Sequence, residues 1–224
     1  KDMKKLIPIL LAVFALASCE KDPDMGKLDD NYLVYTNYDK QANFKDFSTF
    51  YLADKILVIS DSKEPEYLEG EGAKQILAAY TENMEAKGYQ PAADKESADL
   101  GIQVSYIAST YYFTNYSQPE WWWGYPGYWG PSYWGNWGGW YYPYAVTYSY
   151  STNSFITEMV NLKADEGEGK KLPVVWTSYL TGFETGSKAI NRTLAIEAVN
   201  QSFTQSPYPV SYTHLRAHET DQYL

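Results

Sequence analysis

The sequence predicts an α+β fold: a single domain whose mostly antiparallel sheet carries two helices packed on one face, with a long aromatic, Gly-rich insertion loop between two strands. Three observations predict it. Short runs with two-residue alternation recur along the chain. Two longer segments repeat apolar residues every three or four positions. Strands follow one another through hairpins instead of alternating strictly with helices. With 224 residues, 45% hydrophobic and 21% charged, the chain can bury one substantial core.

Taken in order, Tyr32 to Tyr38 sets Leu33 and Tyr35 against Val34 and Thr36 and reads as a strand. Phe47 to Leu52 is aromatic and β-branched, and Ile56-Leu-Val-Ile59 is a short buried run. Glu64 to Glu71 mixes Pro, Gly and acids and reads as a loop. From Gly72 to Lys87, residues Ala73, Ile76, Leu77, Tyr80 and Met84 share one helical face, and Gly88 stands where a C-terminal cap belongs. Leu100 to Ala108 alternates Leu100, Ile102, Val104 and Tyr106 as a strand. Ala145 to Ser151 and Phe155 to Leu162 flank Thr152-Asn153-Ser154 as a hairpin, Asp165 to Lys171 is a charged turn, and Pro173 to Thr181 is a further strand with Trp176. Ser187 is placed to cap a last helix running to about Phe203, which Pro207 and Pro209 terminate.

Val34 to Leu52, followed by Lys87-Gly88-Tyr89, Ala98-Asp99-Leu100, the Val175-Trp176 strand and a helix closing before Pro207, resembles an envelope lipoprotein family. It is the family catalogued as domain of unknown function 4136. The likeness spans nearly the whole chain after the leader. It implies a fold and an envelope location, and no activity.

The two ends read as something other than fold. Lys4 and Lys5 precede a run of 12 apolar residues, Leu6 to Ala17, too short for a membrane span and right for the core of an export signal. The run closes in Leu16-Ala17-Ser18-Cys19, a lipobox. Cleavage between Ser18 and Cys19 would leave Cys19 to carry acyl chains that hold the protein to a membrane. Residues 1–18 are thus expected to be a signal peptide and 19–31 an acidic tether. Acids directly after the cysteine resemble the surface-export signal of lipoproteins in one Gram-negative phylum. The expected location is the outer membrane, facing the periplasm or the cell surface. The domain is bounded at 32–209. Val210 to Thr220 reads as a translated sequencing-library adaptor, which makes 210–224 a non-native tail containing both histidines, His214 and His218.

Chemistry is scarce in this composition. Cys19 is the only cysteine, and without the tail no histidine remains, so His-based triads, Cys-His pairs and the commonest metal sites drop out. Neither a catalytic residue nor a metal ligand is assigned, and no cofactor is implied. Ser60-Asp-Ser-Lys63 follows a strand instead of opening a helix. Gly182 to Lys188 is one residue short of a phosphate loop, and Gly70-Glu-Gly72 places an acid where phosphate would sit. A formal charge of −10 repels phosphate backbones, which excludes nucleic acid as a partner.

The unusual region is 111–144, with Trp121, Trp122, Trp123, Trp129, Trp134, Trp137 and Trp140 spaced by Gly and Pro. It reads in three ways: a low-complexity insertion, a surface for glycans or envelope proteins, or a contact with lipid headgroups. The functional expectation is a membrane-anchored, non-enzymatic binding or structural module that uses these seven Trp. The alternative is a hydrolase of envelope glycans acting through carboxylates, but 28 acids single out no pair.

Overall fold

A computed structural model describes residues 32–60, 65–108, 140–144, 153–164, 171–183 and 190–209. The expected signal peptide, tether, strand 145–151, adaptor tail and most of the aromatic insertion lie outside the described residues, as do Ser18 and Cys19. Asn31–Leu224 forms one compact unit.

The described elements are β1 (Leu33–Tyr38), β2 (Thr49–Leu52), β3 (Ile56–Ile59), β4 (Glu66–Leu68), α1 (Glu71–Ala86), β5 (Gln90–Pro91), β6 (Leu100–Ile107), β7 (Trp140–Tyr141), β8 (Ser154–Asn161), β9 (Leu172–Thr181) and α2 (Arg192–Thr204). The fold is α+β, as expected. Its nine described strands make a mixed sheet in the order β1-β9-β8-β6-β2-β5, with β3 also on β6, β4 on β3 and β7 on β9. The long pairings, β6 with β8, β8 with β9 and β9 with β1, are antiparallel. The parallel ones are short. β2 meets Leu100–Ile102 and β3 meets Ser105–Ile107, so the two act as one interrupted strand along β6. Ala53 N–H donates to Ile102 O at 3.0 Å across the interruption.

Two segments depart from the sequence reading. Within the expected loop 64–71, Glu66–Leu68 pairs antiparallel with β3. An edge strand tolerates the flanking Pro and acids, so local composition conceals it. The last helix begins at Arg192, and its cap is Asn191, whose Oδ1 accepts the Leu194 N–H at 3.3 Å. Ser187 lies outside the described residues.

The first helix ends as its sequence demands. Gly88, at φ 91°, occupies the left-handed position. Its N–H donates to Glu85 O and that of Tyr89 to Met84 O, which satisfies two terminal carbonyls. Helices α1 and α2 cross with Ala73, Ala79, Ala195 and Ala198 buried. Small residues let the axes approach closely, and Asn83 Nδ2 donates to Asn200 Oδ1 at 2.7 Å across the crossing. Beneath them Phe50, Leu100, Ile102, Val104, Phe155, Met159, Trp176 and Phe203 form the main core. A second cluster lies on the other face of the sheet, where Leu57, Ile59, Ile107, Trp140, Tyr142, Ile156, Val160, Leu172, Val174 and Tyr179 are buried together.

Candidate functional site

Strand alternation sends Gly101, Gln103, Ser105 and Ile107 of β6 to the face away from the helices. Ser154, Ile156, Glu158 and Val160 of β8 point the same way, with Thr177 and Tyr179 of β9. Register then aligns Gln103 with Glu158, Glu158 with Thr177, and Thr177 with Asn37. The result is a polar row across four strands. Gln103, Glu158 and Thr177 are all buried, Glu158 completely.

Residues 140–144 run over this row as an aromatic strap. Trp140 and Tyr141 pair with Leu172 and Pro173. The Tyr142 hydroxyl then donates to Glu158 Oε1, and the Tyr144 hydroxyl donates to Thr177 Oγ1 at 3.4 Å. One row further along, the Ser154 and Tyr179 hydroxyls share a hydrogen bond of 3.0 Å. Gln103 Nε2 donates to Val104 O at 2.9 Å. Ser105 Oγ is fully buried with no hydrogen-bonding partner among the described residues. Apolar residues close both ends of the row, with Trp140, Leu172, Val174 and Val160 at one and Leu57, Ile59, Ile107 and Ile156 at the other.

Of the seven Trp singled out by the sequence, Trp140 is described, and it is completely buried in this second cluster. Trp121, Trp122, Trp123, Trp129, Trp134 and Trp137 lie outside the described residues, as does Cys19. Sequence reasoning passed over Gln103, Ser105, Tyr142, Glu158 and Thr177. The available signal was a lone acid in the middle of Phe-Ile-Thr-Glu-Met-Val, an otherwise uncharged strand.

The residues that carried the family resemblance do structural work. Lys87 Nζ donates to Ser206 O at 3.1 Å beyond the end of α2, and burial lowers its pKa. Tyr89 is buried with its hydroxyl donating to Phe44 O, and burial pushes its pKa up. Trp176 Nε1 donates to Ser206 Oγ at 3.0 Å. Asp99 joins three strands. Its Oδ2 accepts the Ser48 and Thr49 N–H groups at 2.6 and 3.1 Å, and its Oδ1 meets Lys163 Nζ at 2.7 Å. Burial alone would raise the Asp99 pKa, but Lys163 and the two backbone donors outweigh it and hold the carboxyl below its ordinary value.

Asp99 and Glu158 are the two buried carboxylates among the described residues. They stand four positions apart along the strand direction, roughly 13 Å at the usual strand rise. Glycosidase pairs need about 5–9.5 Å. The described residues hold no group of three or more His, Cys, Asp or Glu that could bind a metal ion. Two shallow surface hollows flank α1, one beside Tyr51, Asp54 and Pro91, the other beside Glu69, Ile190 and Arg192, and neither is lined by the polar row.

A single mixed sheet with two helices on one face and an aromatic strap over a polar row on the other defines an α+β class of domain. The chain belongs to the family described as Domain of unknown function (DUF4136), which matches residues 34–208. It is similar to a DUF4136 family protein from Bacteroides thetaiotaomicron VPI-5482 of known crystal structure: 97% identity over 81% of this chain and 99% of that one, with a TM-score of 0.73. A PDZ domain protein from Parabacteroides distasonis ATCC 8503 shares 15% identity over 80% of this chain and 36% of that one, and its TM-score of 0.36 is too low to support an inference. No curated protein matches.

Proposed function

We propose that this chain is an envelope lipoprotein that binds and does not catalyse, tethered to the outer membrane through acyl chains on Cys19. Its aromatic segment would present the interaction surface to a glycan, an envelope protein or lipid headgroups. One observation carries the binding part: both ends of the aromatic segment are fixed to the sheet. Before it, the Ala108 N–H donates to Ile59 O at 2.9 Å. After it, Trp140 pairs with Leu172 and Tyr142 reaches Glu158. Aromatic rings carried between two such anchor points would be presented from a fixed base, the usual arrangement for a binding loop. The anchor part is supported by Leu16-Ala17-Ser18-Cys19 at the end of the apolar run.

Two variants test the two parts. Cys19→Ala should move the protein from the membrane fraction to the soluble fraction, and a variant that stays membrane-bound would remove the anchor from the reading. Deleting Trp121 to Trp137, which spares buried Trp140, should leave the melting temperature nearly unchanged while abolishing binding to glycans or liposomes. Unchanged binding would remove the loop.

A further inference from the structure

Buried hydroxyls, amides and carboxylates are stable in a core only where each finds a partner. The helix-facing side of β6 and β8 follows that rule by being almost wholly apolar, with Ile102, Val104, Phe155 and Met159 at its centre. The opposite side of the same strands holds Gln103, Ser105 and Glu158 there instead, next to Thr177. Ser105 is the second observation. It is entirely buried on this side, and its hydroxyl has no partner among the described residues.

The strap meets the row with hydroxyls: Tyr142 on Glu158 and Tyr144 on Thr177. Among the described residues, its backbone pairing is short. β7 has two residues, and one of its two partners is Pro173, which has no N–H to give.

We propose that the row Gln103-Glu158-Thr177, together with Ser105 two residues further along β6 beside Ile156, is the floor of a binding site for a neutral oligosaccharide. Tyr142 and Tyr144 occupy, in the free protein, the positions that sugar hydroxyls take in the complex. The Glu158 carboxylate accepts hydroxyl donors, the Ser105 and Thr177 hydroxyls both donate and accept, and the Gln103 amide adds an acceptor. The rings of Tyr142, Tyr144 and Tyr179 supply flat apolar faces beside them. An anionic ligand would meet Glu158 inside a chain of formal charge −10, which disfavours it. This inference rests on the binding reading above and is independent of the lipid anchor.

The test is calorimetric titration of the purified full chain with chitotriose, cellotriose, maltotriose and xylotriose. At least one should bind. Ser105→Ala should weaken that binding tenfold or more while raising the melting temperature, because it deletes a buried hydroxyl that has no partner. Glu158→Gln should weaken binding similarly, and if that variant fails to fold, Ser105→Ala still decides. The proposal is overturned if no trisaccharide binds at about 10 mM, if Ser105→Ala leaves affinity unchanged, or if Ser105→Ala lowers the melting temperature. Deleting Trp121 to Trp137 separates the two readings. Binding that survives the deletion but not Ser105→Ala leaves the floor standing and removes the loop. The reverse pattern removes the floor and keeps the loop.

Discussion

The two faces of one sheet are built on different rules. Towards the helices, β6, β8 and β9 present Leu100, Ile102, Val104, Phe155, Met159, Trp176 and Leu180, and the exceptions among them are hydroxyls at Thr157 and Ser178. Away from the helices, the same three strands present Gln103, Ser105, Ser154, Glu158 and Thr177 between apolar ends, under a strap of five described residues. Both faces are buried. The difference teaches that burial alone does not mark a core. The helix face gains stability from nearly every side chain it hides, the exception being the Ser178 hydroxyl, which also lacks a partner among the described residues. The strap face hides groups whose desolvation must be offset by hydrogen bonds, and at Ser105 it is not. Apolar burial is therefore concentrated on one side, and buried polar groups on the other.

A matched pair of substitutions gives the largest effect and the most direct way to break this comparison. Trp176 and Trp140 are both completely buried, one on each face. Trp176 packs 5.2 Å from the Phe203 ring and hydrogen-bonds Ser206, so it ties β9 to α2. Trp176→Ala should cost about 3–5 kcal/mol in chemical denaturation, the range for a buried aromatic truncated in a core. Trp140 anchors a two-residue strand, so its loss can be absorbed by local opening of the strap, and Trp140→Ala should cost about 2 kcal/mol. Hydrogen exchange should show the Trp140 variant losing protection near 140–144 and little elsewhere. Equal costs for the two variants, or global loss of protection in the second, would show the strap face to be as structural as the helix face.

Much of the helix face was legible in the sequence, and little of the other. Leu100, Ile102, Val104 and Tyr106 announce a buried face by their spacing, and Gly88 marks the end of α1, because both signals are local. The intervening Gly101, Gln103 and Ser105 read as a solvent-facing side, since polar alternation looks the same whether water or a strap lies above it. Glu158 could not be picked out of 28 acids, because its neighbours Gln103 and Thr177 come from strands 55 and 19 positions away and meet it only through register. The strands β4 and β5 are hidden for the same reason. They exist because β3 and β2 offer them free edges, and nothing in Glu-Tyr-Leu or Gln-Pro demands it.

Asp99 belongs to neither face. It stands at the seam, where its carboxylate binds the start of β2 and Lys163 beyond β8, while its carbonyl accepts the Leu162 N–H at 2.9 Å. Asp99→Asn keeps the shape and one oxygen for the two backbone N–H donors, but it removes the charge and turns an NH2 group towards Lys163 Nζ, and should cost about 2 kcal/mol at pH 7. The pH dependence follows from the depressed pKa. A carboxyl held below its unfolded value stabilises the fold above that value, about 3.9, and the contribution is lost as pH falls through the folded value. The wild type should therefore lose stability in that acid range, and Asp99→Asn should flatten this limb. An unchanged acid limb would mean that Asp99 does not titrate against the fold.

The smallest effect expected at neutral pH concerns the polar exception on the helix face. Tyr80 reaches from α1 to Thr157 with a hydroxyl contact of 2.5 Å, and it is completely buried. Ser178 lies near enough to the Tyr80 hydroxyl to lower its pKa, yet outside hydrogen-bonding geometry. The Tyr80–Thr157 contact is the counterpart of Tyr142 on Glu158, with a neutral hydroxyl in place of a carboxylate. Tyr80→Phe removes one hydrogen bond and leaves the Thr157 hydroxyl short of a partner, which should cost about 1 kcal/mol at pH 7. The informative part is alkaline. Burial pushes the Tyr80 pKa up to about 12, against the neighbouring Thr157 and Ser178 hydroxyls, which lower it. An unfolded tyrosine ionises near pH 10, so between pH 10 and 12 the unfolded chain has released a proton that the folded chain retains. Stability falls across that window, by at most about 3 kcal/mol for a shift of this size. Tyr89, also raised by burial, contributes in the same direction and remains in the variant. Denaturant midpoints measured from pH 8 to 12 should thus decline less steeply for Tyr80→Phe than for the wild type, without becoming flat. Parallel declines would show that Tyr80 ionises as readily in the folded protein as in the unfolded one, and that the helix face is wetter at its polar spot than its burial indicates.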